Sequence, residues 1–151
     1  MSHPTDPCPL CAPPGDEVLW QNECARVVRV DGTAQPGYTR VIWQSHVAEM
    51  TQLTPAKRQG LMDVVYLVEQ IQRQELTPDK INLAALGNQV PHLHWHIIPR
   101  WRADSHFPEP IWHPTPPAER VAAWALQRPA IEALVPHYHA RLIEALSAHL
   151  A

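Results

Sequence analysis

The chain has 151 residues, of which 45% are hydrophobic, and a formal net charge of -3 from 12 Lys and Arg and 15 Asp and Glu. This size and apolar content suit one globular domain, and no apolar run approaches the roughly 20 residues that span a bilayer. The few basic residues do not cluster, which argues against binding to a nucleic-acid backbone and favours a small-molecule partner. The first residues, MSHPTDPCPLC, lack the basic region and apolar core of a signal peptide, so we expect a cytoplasmic protein.

Two of the three cysteines form a close pair near the start, Cys8-Pro-Leu-Cys11. Three cysteines do not make a disulfide framework, and in a reducing compartment a close pair is more typical of metal binding or redox chemistry. The two-residue spacing is that of a zinc knuckle, but the pair supplies only half of a tetrahedral zinc site. The alternative interpretation is that Cys8 and Cys11 are free thiols and bind no metal.

Three strands are predicted before any helix. Residues 17–22 and 25–31 are short and rich in β-branched residues, which predicts a hairpin, and the alternating segment 38–44 follows the turn residues GTAQPG as a third strand. Thr54 followed by Pro55 marks a helix N-terminus, and apolar residues at helical spacing predict a helix from Pro55 to about Glu75.

Two more strands, residues 80–86 and 92–98, are joined by the short link GNQVP. The order β-β-β-α-β-β predicts an α+β fold, an antiparallel sheet with a long helix on one face. A proline-dense segment, FPEPIWHPTPP, then predicts a stiff loop, and helical patterns follow over 118–127 and 129–149. We therefore expect a domain over residues 1–104 and, over 105–151, a loop and helices that pack on that domain or on a second copy.

The stretch HLHWHII places His92, His94 and His96 at every second position. In a strand this spacing sends all three imidazoles to one face. Three interpretations compete: a solvated strand face, a catalytic zinc site with one position open for water, and an imidazole nucleophile that attacks phosphorus with help from its neighbours. The spacing does not separate the last two.

The same stretch resembles the histidine-triad pattern, His-φ-His-φ-His-φ-φ with φ apolar, of the HIT superfamily of nucleotide hydrolases and nucleotidyl transferases. The similarity extends, in the family's order, to CPLC, VVRVD, RVIWQSHVAEMTQL and INLAALGNQVPHLHWHIIPR. It implies a HIT-like five-stranded sheet, a homodimer formed across a helix and an edge strand, and action at the α-phosphate of a small purine nucleotide. Diadenosine polyphosphates and nucleoside phosphoramidates are both implied as substrates, and no organic cofactor is implied.

The resemblance also implies roles for single residues. His94 is expected to be the nucleophile that forms a covalent nucleotidyl-histidine, and His96 is expected to hydrogen-bond a phosphate oxygen. Asp31 matches the acidic residue that binds the ribose hydroxyls. Asn88 matches a polar residue that donates to the phosphate, and Asn82 is a weaker phosphate ligand.

A zinc ion is implied by relatives that carry the cysteine pair. They complete the site with a histidine after the third strand and with the first histidine of the triad, which here are His46 and His92, added to Cys8 and Cys11. The resemblance implies that this zinc is structural and ties the N-terminal segment to the histidine strand. Two alternatives stay open: a zinc-dependent hydrolase that uses all three triad histidines as ligands, and a nucleotide-binding protein without turnover.

Overall fold

The computed structural model describes residues 7–12 and 15–150. Five antiparallel strands form one sheet in the spatial order β1-β2-β3-β5-β4. The predicted α+β architecture is therefore confirmed. The strands are β1 (Val18–Gln21), β2 (Ala25–Arg29), β3 (Thr39–Trp43), β4 (Lys80–Ala84) and β5 (His94–Arg100).

The long helix α1 (Pro55–Leu76) covers one face of the sheet. The Thr54 hydroxyl caps it by accepting from the Lys57 amide, and Pro55 at the first position has no N–H left unpaired. Its apolar residues recur at helical spacing and pack against the inward side chains of the strands. The prediction of this helix is confirmed, with its C-terminus one residue later than expected. The buried positions of α1 are Leu61, Val64, Val65, Val68, Gln72, Ile71 and Leu76.

The two faces of the sheet carry different residues because side chains alternate along each strand. Val27, Val41 and Ile97 belong to the core under α1. The opposite face carries Arg40 and His96, which are direct partners on β3 and β5. The polar groups of the site therefore gather on the face away from α1.

The C-terminal helices are α2 (Ala118–Glu132) and α3 (Val135–Leu150). α3 packs beside α1 and reaches β1, with apolar residues buried four positions apart at Tyr138, Leu142 and Leu146. The predicted break at Pro129 is wrong, because this proline lies inside α2. A proline there costs one backbone hydrogen bond, and the helix continues to Glu132 because Trp124 and its surroundings anchor it in the core. Over the described residues, no helix is long and apolar enough to cross a membrane.

A buried ion pair fixes the start of the proline-rich loop after β5. Arg100 binds the Asp104 carboxylate through Nε at 2.8 Å and Nη2 at 3.1 Å, and it also donates to the Glu109 carbonyl at 2.8 Å. Asp104 accepts from three backbone amides as well, so both charges are fully paired. This network holds the loop against the sheet and thereby places Trp112, farther along the loop, beside the histidine strand.

Candidate functional site

Four side chains converge at the N-terminal end of the histidine strand: Cys8, Cys11, His46 and His92. Their sulfur and nitrogen atoms all lie within 4.8 Å of one another. The His92 Nδ1 atom lies 3.5 Å from each sulfur and 3.3 Å from the His46 Nδ1. Two sulfurs and two imidazole nitrogens are a donor set for a tetrahedral metal, so the arrangement fits zinc.

His92 differs from the other two triad histidines, because it precedes β5 and turns away from their face. Its Nε2 lies 2.6 Å from the Trp43 carbonyl oxygen, which can only accept, so Nε2 carries the proton. Nδ1 is left with a lone pair that faces the cysteines. Burial lowers the pKa of His92, which keeps the ring in the neutral form that a metal requires.

Arg26, which no sequence motif marks, supports the cysteine pair. Its guanidinium donates to the Leu10 carbonyl between the two cysteines and to the Gln44 side chain at 2.9 Å. The Cys11 amide donates to the Cys8 carbonyl at 3.1 Å, which closes the turn of the pair. A buried cation on β2 thus holds the turn of the cysteine pair.

His94 is anchored through the opposite ring nitrogen. Its Nδ1 lies 2.5 Å from the His92 carbonyl oxygen, so Nδ1 carries the proton and Nε2 keeps the lone pair. Burial lowers the pKa of His94, and the positive charge of Arg40 lowers it further. The imidazole is therefore neutral at pH 7 and has one nitrogen free to act as a nucleophile.

His96 lies beside His94, with ring centroids 4.9 Å apart. The Tyr38 hydroxyl and His96 Nδ1 are 2.6 Å apart, and the Trp112 ring stands edge-on to the imidazole at 5.2 Å. Burial lowers the pKa of His96 to about 4, with further contributions from Arg40 and His94. His96 is thus a neutral imidazole whose Nδ1 is occupied by a tyrosine.

A cavity of about 380 Å³ opens over these histidines. The backbone at Gly87 has a φ of 74°, a left-handed conformation that a residue without Cβ adopts at no steric cost. Asn88, the phosphate donor that the family resemblance implies, lies on the wall of this cavity. The residues of the wall with polar or aromatic groups include Tyr38, Arg40, Asn88, Gln89, His94, His96 and Trp112.

Two predicted ligands lie outside this wall. The Asp31 carboxylate accepts from Arg29 at 2.9 and 3.0 Å and borders a different cavity, next to α3. The Asn82 side chain accepts from Arg100 at 2.9 Å and so belongs to the network that fixes the loop. The structure therefore groups His94, His96 and Asn88 and leaves Asp31 and Asn82 apart, and the roles of all five stay predictions.

Comparisons with known proteins identify the family and the fold of this chain. The sequence model of the HIT domain matches residues 15–103, more than half of the chain. The chain belongs to the HIT family. No curated protein sequence matches this HIT protein significantly.

Solved structures similar to this HIT protein are also histidine triad proteins, which confirms the HIT-like fold. One from Marinobacter aquaeolei VT8 is 25% identical, with a TM-score of 0.61, over 82% of this chain and 90% of its own. A hypothetical histidine triad nucleotide-binding protein from Sulfolobus tokodaii is 22% identical, with a TM-score of 0.53, over 88% and 87%. A zinc-bound histidine triad protein from Mycobacterium smegmatis is 22% identical, with a TM-score of 0.53, over 82% and 87%.

Proposed function

We propose that this HIT protein is a nucleotide hydrolase or nucleotidyl transferase that acts at the α-phosphate of a small purine nucleotide through a covalent intermediate on His94. The observation that carries the proposal is the hydrogen bond from His94 Nδ1–H to the His92 carbonyl. It leaves the Nε2 lone pair of a neutral imidazole in a cavity that His96 and Asn88 also border. Purine as the base is carried over from the family resemblance.

The reaction follows from the two neutral histidines. The lone pair of His94 Nε2 forms a bond to the α-phosphorus, and the bond from phosphorus to the leaving group breaks, with its electron pair going to that group. His96, with Nδ1 bound by Tyr38, has Nε2–H to donate to a phosphate or leaving-group oxygen as negative charge develops there. Water then attacks phosphorus and releases a proton to solvent, the phosphorus–nitrogen bond breaks with its electron pair returning to His94 Nε2, and the nucleotide leaves. In a transferase, another acceptor replaces water.

The zinc in this proposal is structural and is held by Cys8, Cys11, His46 and His92. Bound there, zinc ties the cysteine turn to the start of β5 and supplies no group to the phosphate. This arrangement argues against a hydrolase that binds zinc through all three triad histidines, because His92 directs its lone pair to the cysteines. Zinc binding needs reduced thiols, which supports the cytoplasm as the place of action.

The direct test is intact mass spectrometry after brief incubation with adenosine phosphoramidate or diadenosine tetraphosphate, quenched at alkaline pH to keep a phosphorus–nitrogen bond. We expect an added adenylyl mass on the protein with at least one substrate. Nucleotide binding without any adduct or turnover would instead support a non-catalytic nucleotide-binding protein.

The Tyr38 hydroxyl is expected to set the tautomer of His96, and Tyr38→Phe tests this. Without the donor to Nδ1, the proton moves between the two ring nitrogens, so we expect kcat to fall about tenfold with little change in KM. Nitrogen chemical shifts of His96 give a second readout: one defined tautomer in the unmutated protein and a mixture in the variant. An unchanged tautomer together with unchanged kcat would contradict this role.

A homodimer is the proposed assembly, formed by β4 and α1 with a second copy. β4 is an edge strand whose outer side pairs with no strand among residues 7–12 and 15–150. Leu83 on β4 is 37% exposed and Tyr66 on α1 is 50% exposed. Leu83 lies on the α1 side of the sheet because its strand partner is the buried Ile97, so both exposed apolar side chains belong to the helix-covered side of the sheet.

Light scattering after size-exclusion chromatography tests the assembly. We expect a dimer that Leu83→Lys converts to a monomer, because a charge on the edge opposes strand pairing and burial. Leu126→Lys is the matched control, since Leu126 on α2 is 86% exposed and far from β4 in the chain. A monomeric unmutated protein, or a dimer that survives Leu83→Lys, contradicts this interface.

A further inference from the structure

We propose that Arg40 makes the site selective for nucleotides whose α-phosphate is joined to a second anionic group, as in a dinucleoside polyphosphate, over nucleotides with a neutral leaving group. This inference rests on the proposed function, because it assigns the substrate class of the same site. It concerns a residue for which the sequence analysis gave no role.

Arg40 borders the cavity over the histidines and stands beside His96. It is the strand partner of His96 on the face that carries the histidines. It borders the cavity over His94 and also a neighbouring cavity of about 370 Å³ that reaches Val30 and Gln35. Tyr38 and Trp112 border both cavities too, so these two side chains and Arg40 form the boundary between them.

The Arg40 guanidinium is only partly paired within the described part of the protein. Nη1 has an ion pair with Asp16 at 3.3 Å, and the buried Nε has no hydrogen-bond partner in the part of the chain that the structure describes. Arg100 is different, because its Nε, Nη1 and Nη2 all have partners within the protein. The Arg40 side chain is 21% exposed, which leaves it within reach of a ligand.

Charge makes Arg40 a specificity determinant. Among the described residues that border the histidine cavity, Arg40 is the one Lys, Arg, Asp or Glu side chain, and its guanidinium is charged at every pH near neutrality. A planar guanidinium binds phosphate oxygens in pairs, and a fixed cation stabilises the charge that develops on a departing phosphate. A departing neutral amine gains much less from that cation. Arg40 is thus placed to favour a polyphosphate leaving group.

The test compares kcat/KM for diadenosine tetraphosphate and adenosine phosphoramidate in the unmutated protein, Arg40→Met and Arg40→Lys. We expect the ratio of the two values to fall about 30-fold in Arg40→Met, the size of effect of one or two charge-assisted hydrogen bonds. Arg40→Lys keeps the positive charge but lacks the paired N–H donors of the guanidinium. Its ratio of kcat/KM values should therefore lie between those of the unmutated protein and Arg40→Met. Arg141→Met on α3 is the matched control and should not change the ratio, because Arg141 pairs with Glu75 and Glu144 outside the cavity.

A second measurement separates this inference from the proposed function. Calorimetry compares ADP with AMP, and we expect ADP to bind about tenfold more tightly to the unmutated protein and with no preference to Arg40→Met. If neither substrate is turned over, the proposed catalysis is wrong. If the unmutated protein then still binds ADP more tightly than AMP and Arg40→Met does not, the role of Arg40 in binding the second phosphate is supported. Equal losses on both substrates in Arg40→Met, or no preference for ADP in the unmutated protein, overturn the inference.

Discussion

Replacing His94 with asparagine is expected to abolish the adenylyl adduct and to lower turnover by about a thousandfold or more, because the lone pair of an amide nitrogen is delocalised into the carbonyl and does not attack phosphorus. Asparagine is a conservative choice here, since its amide N–H can still donate to the His92 carbonyl that holds the imidazole in the unmutated protein. We therefore expect the fold to survive. The readouts are intact mass after an alkaline quench and initial rates with both candidate substrates.

His149→Asn is the matched control for this change. His149 is exposed near the end of α3, so its loss should affect neither adduct nor rate. Zinc content must also match between the His94 variant and the unmutated protein, because His94 lies outside the group of four metal donors. An adduct that persists in His94→Asn, or turnover within tenfold of normal, would place the nucleophile elsewhere.

The same pair of measurements separates the proposed mechanism from a zinc-dependent hydrolase. If the metal activated water, no adduct would form at any time, and a chelator would stop turnover as soon as zinc left. In the proposed mechanism, chelation lowers activity only gradually, as the structure around the four metal donors unfolds. Adduct formation measured immediately after zinc removal is thus the deciding observation.

Much of the architecture follows from sequence because local patterns determine it. Apolar spacing and the Thr54 cap place α1 within one residue, and alternation places the five strands within a few residues. The break between the last helices was misplaced because Pro129 is a strong local signal that the buried Trp124 side of α2 overrides. Tertiary packing of that kind is not visible in a local pattern.

The site was less predictable than the fold, because it depends on the pairing register of β3 with β5 and on the direction of the backbone just before β5. Alternation alone put all three histidines on one face, whereas His92 lies before the strand and turns to the cysteines. Tyr38 and Arg40 carry a visible signal, since they are two residues apart on one face, but only the β3–β5 register brings them to His96. Trp112 lies on a loop beside His96. Loops lack the residue periodicity of helices and strands, so the sequence pattern does not predict this contact.

Removing the metal site is expected to produce the largest loss of stability. Cys11→Ser should lower bound zinc from about one per chain to near zero and lower Tm by roughly 10 °C or more. A structural zinc contributes several kcal/mol to folding, and each kcal/mol shifts Tm by about 2–4 °C at this chain length. Elemental analysis and thermal unfolding at matched concentration measure the two effects.

Two further variants make the zinc prediction specific. Cys24 is an exposed free cysteine outside the donor group, so Cys24→Ser should keep both zinc and Tm. His46→Cys converts the donor set to three sulfurs and one nitrogen, which zinc accepts, so this variant should retain the metal where Cys11→Ser does not. Equal zinc content and Tm in Cys11→Ser and Cys24→Ser would contradict a zinc site at these four residues.

The link from the metal site to catalysis is one peptide group. His92 offers its ring to the cysteine pair, and its carbonyl accepts from His94 Nδ1. In the proposed arrangement, loss of zinc would leave His92 less firmly held, and the His94 imidazole would lose part of its orientation with it. We therefore expect Cys11→Ser, assayed well below its Tm, to form the adduct about tenfold more slowly but still completely. A rate that falls to zero in the folded variant would instead assign the metal a direct part in the chemistry.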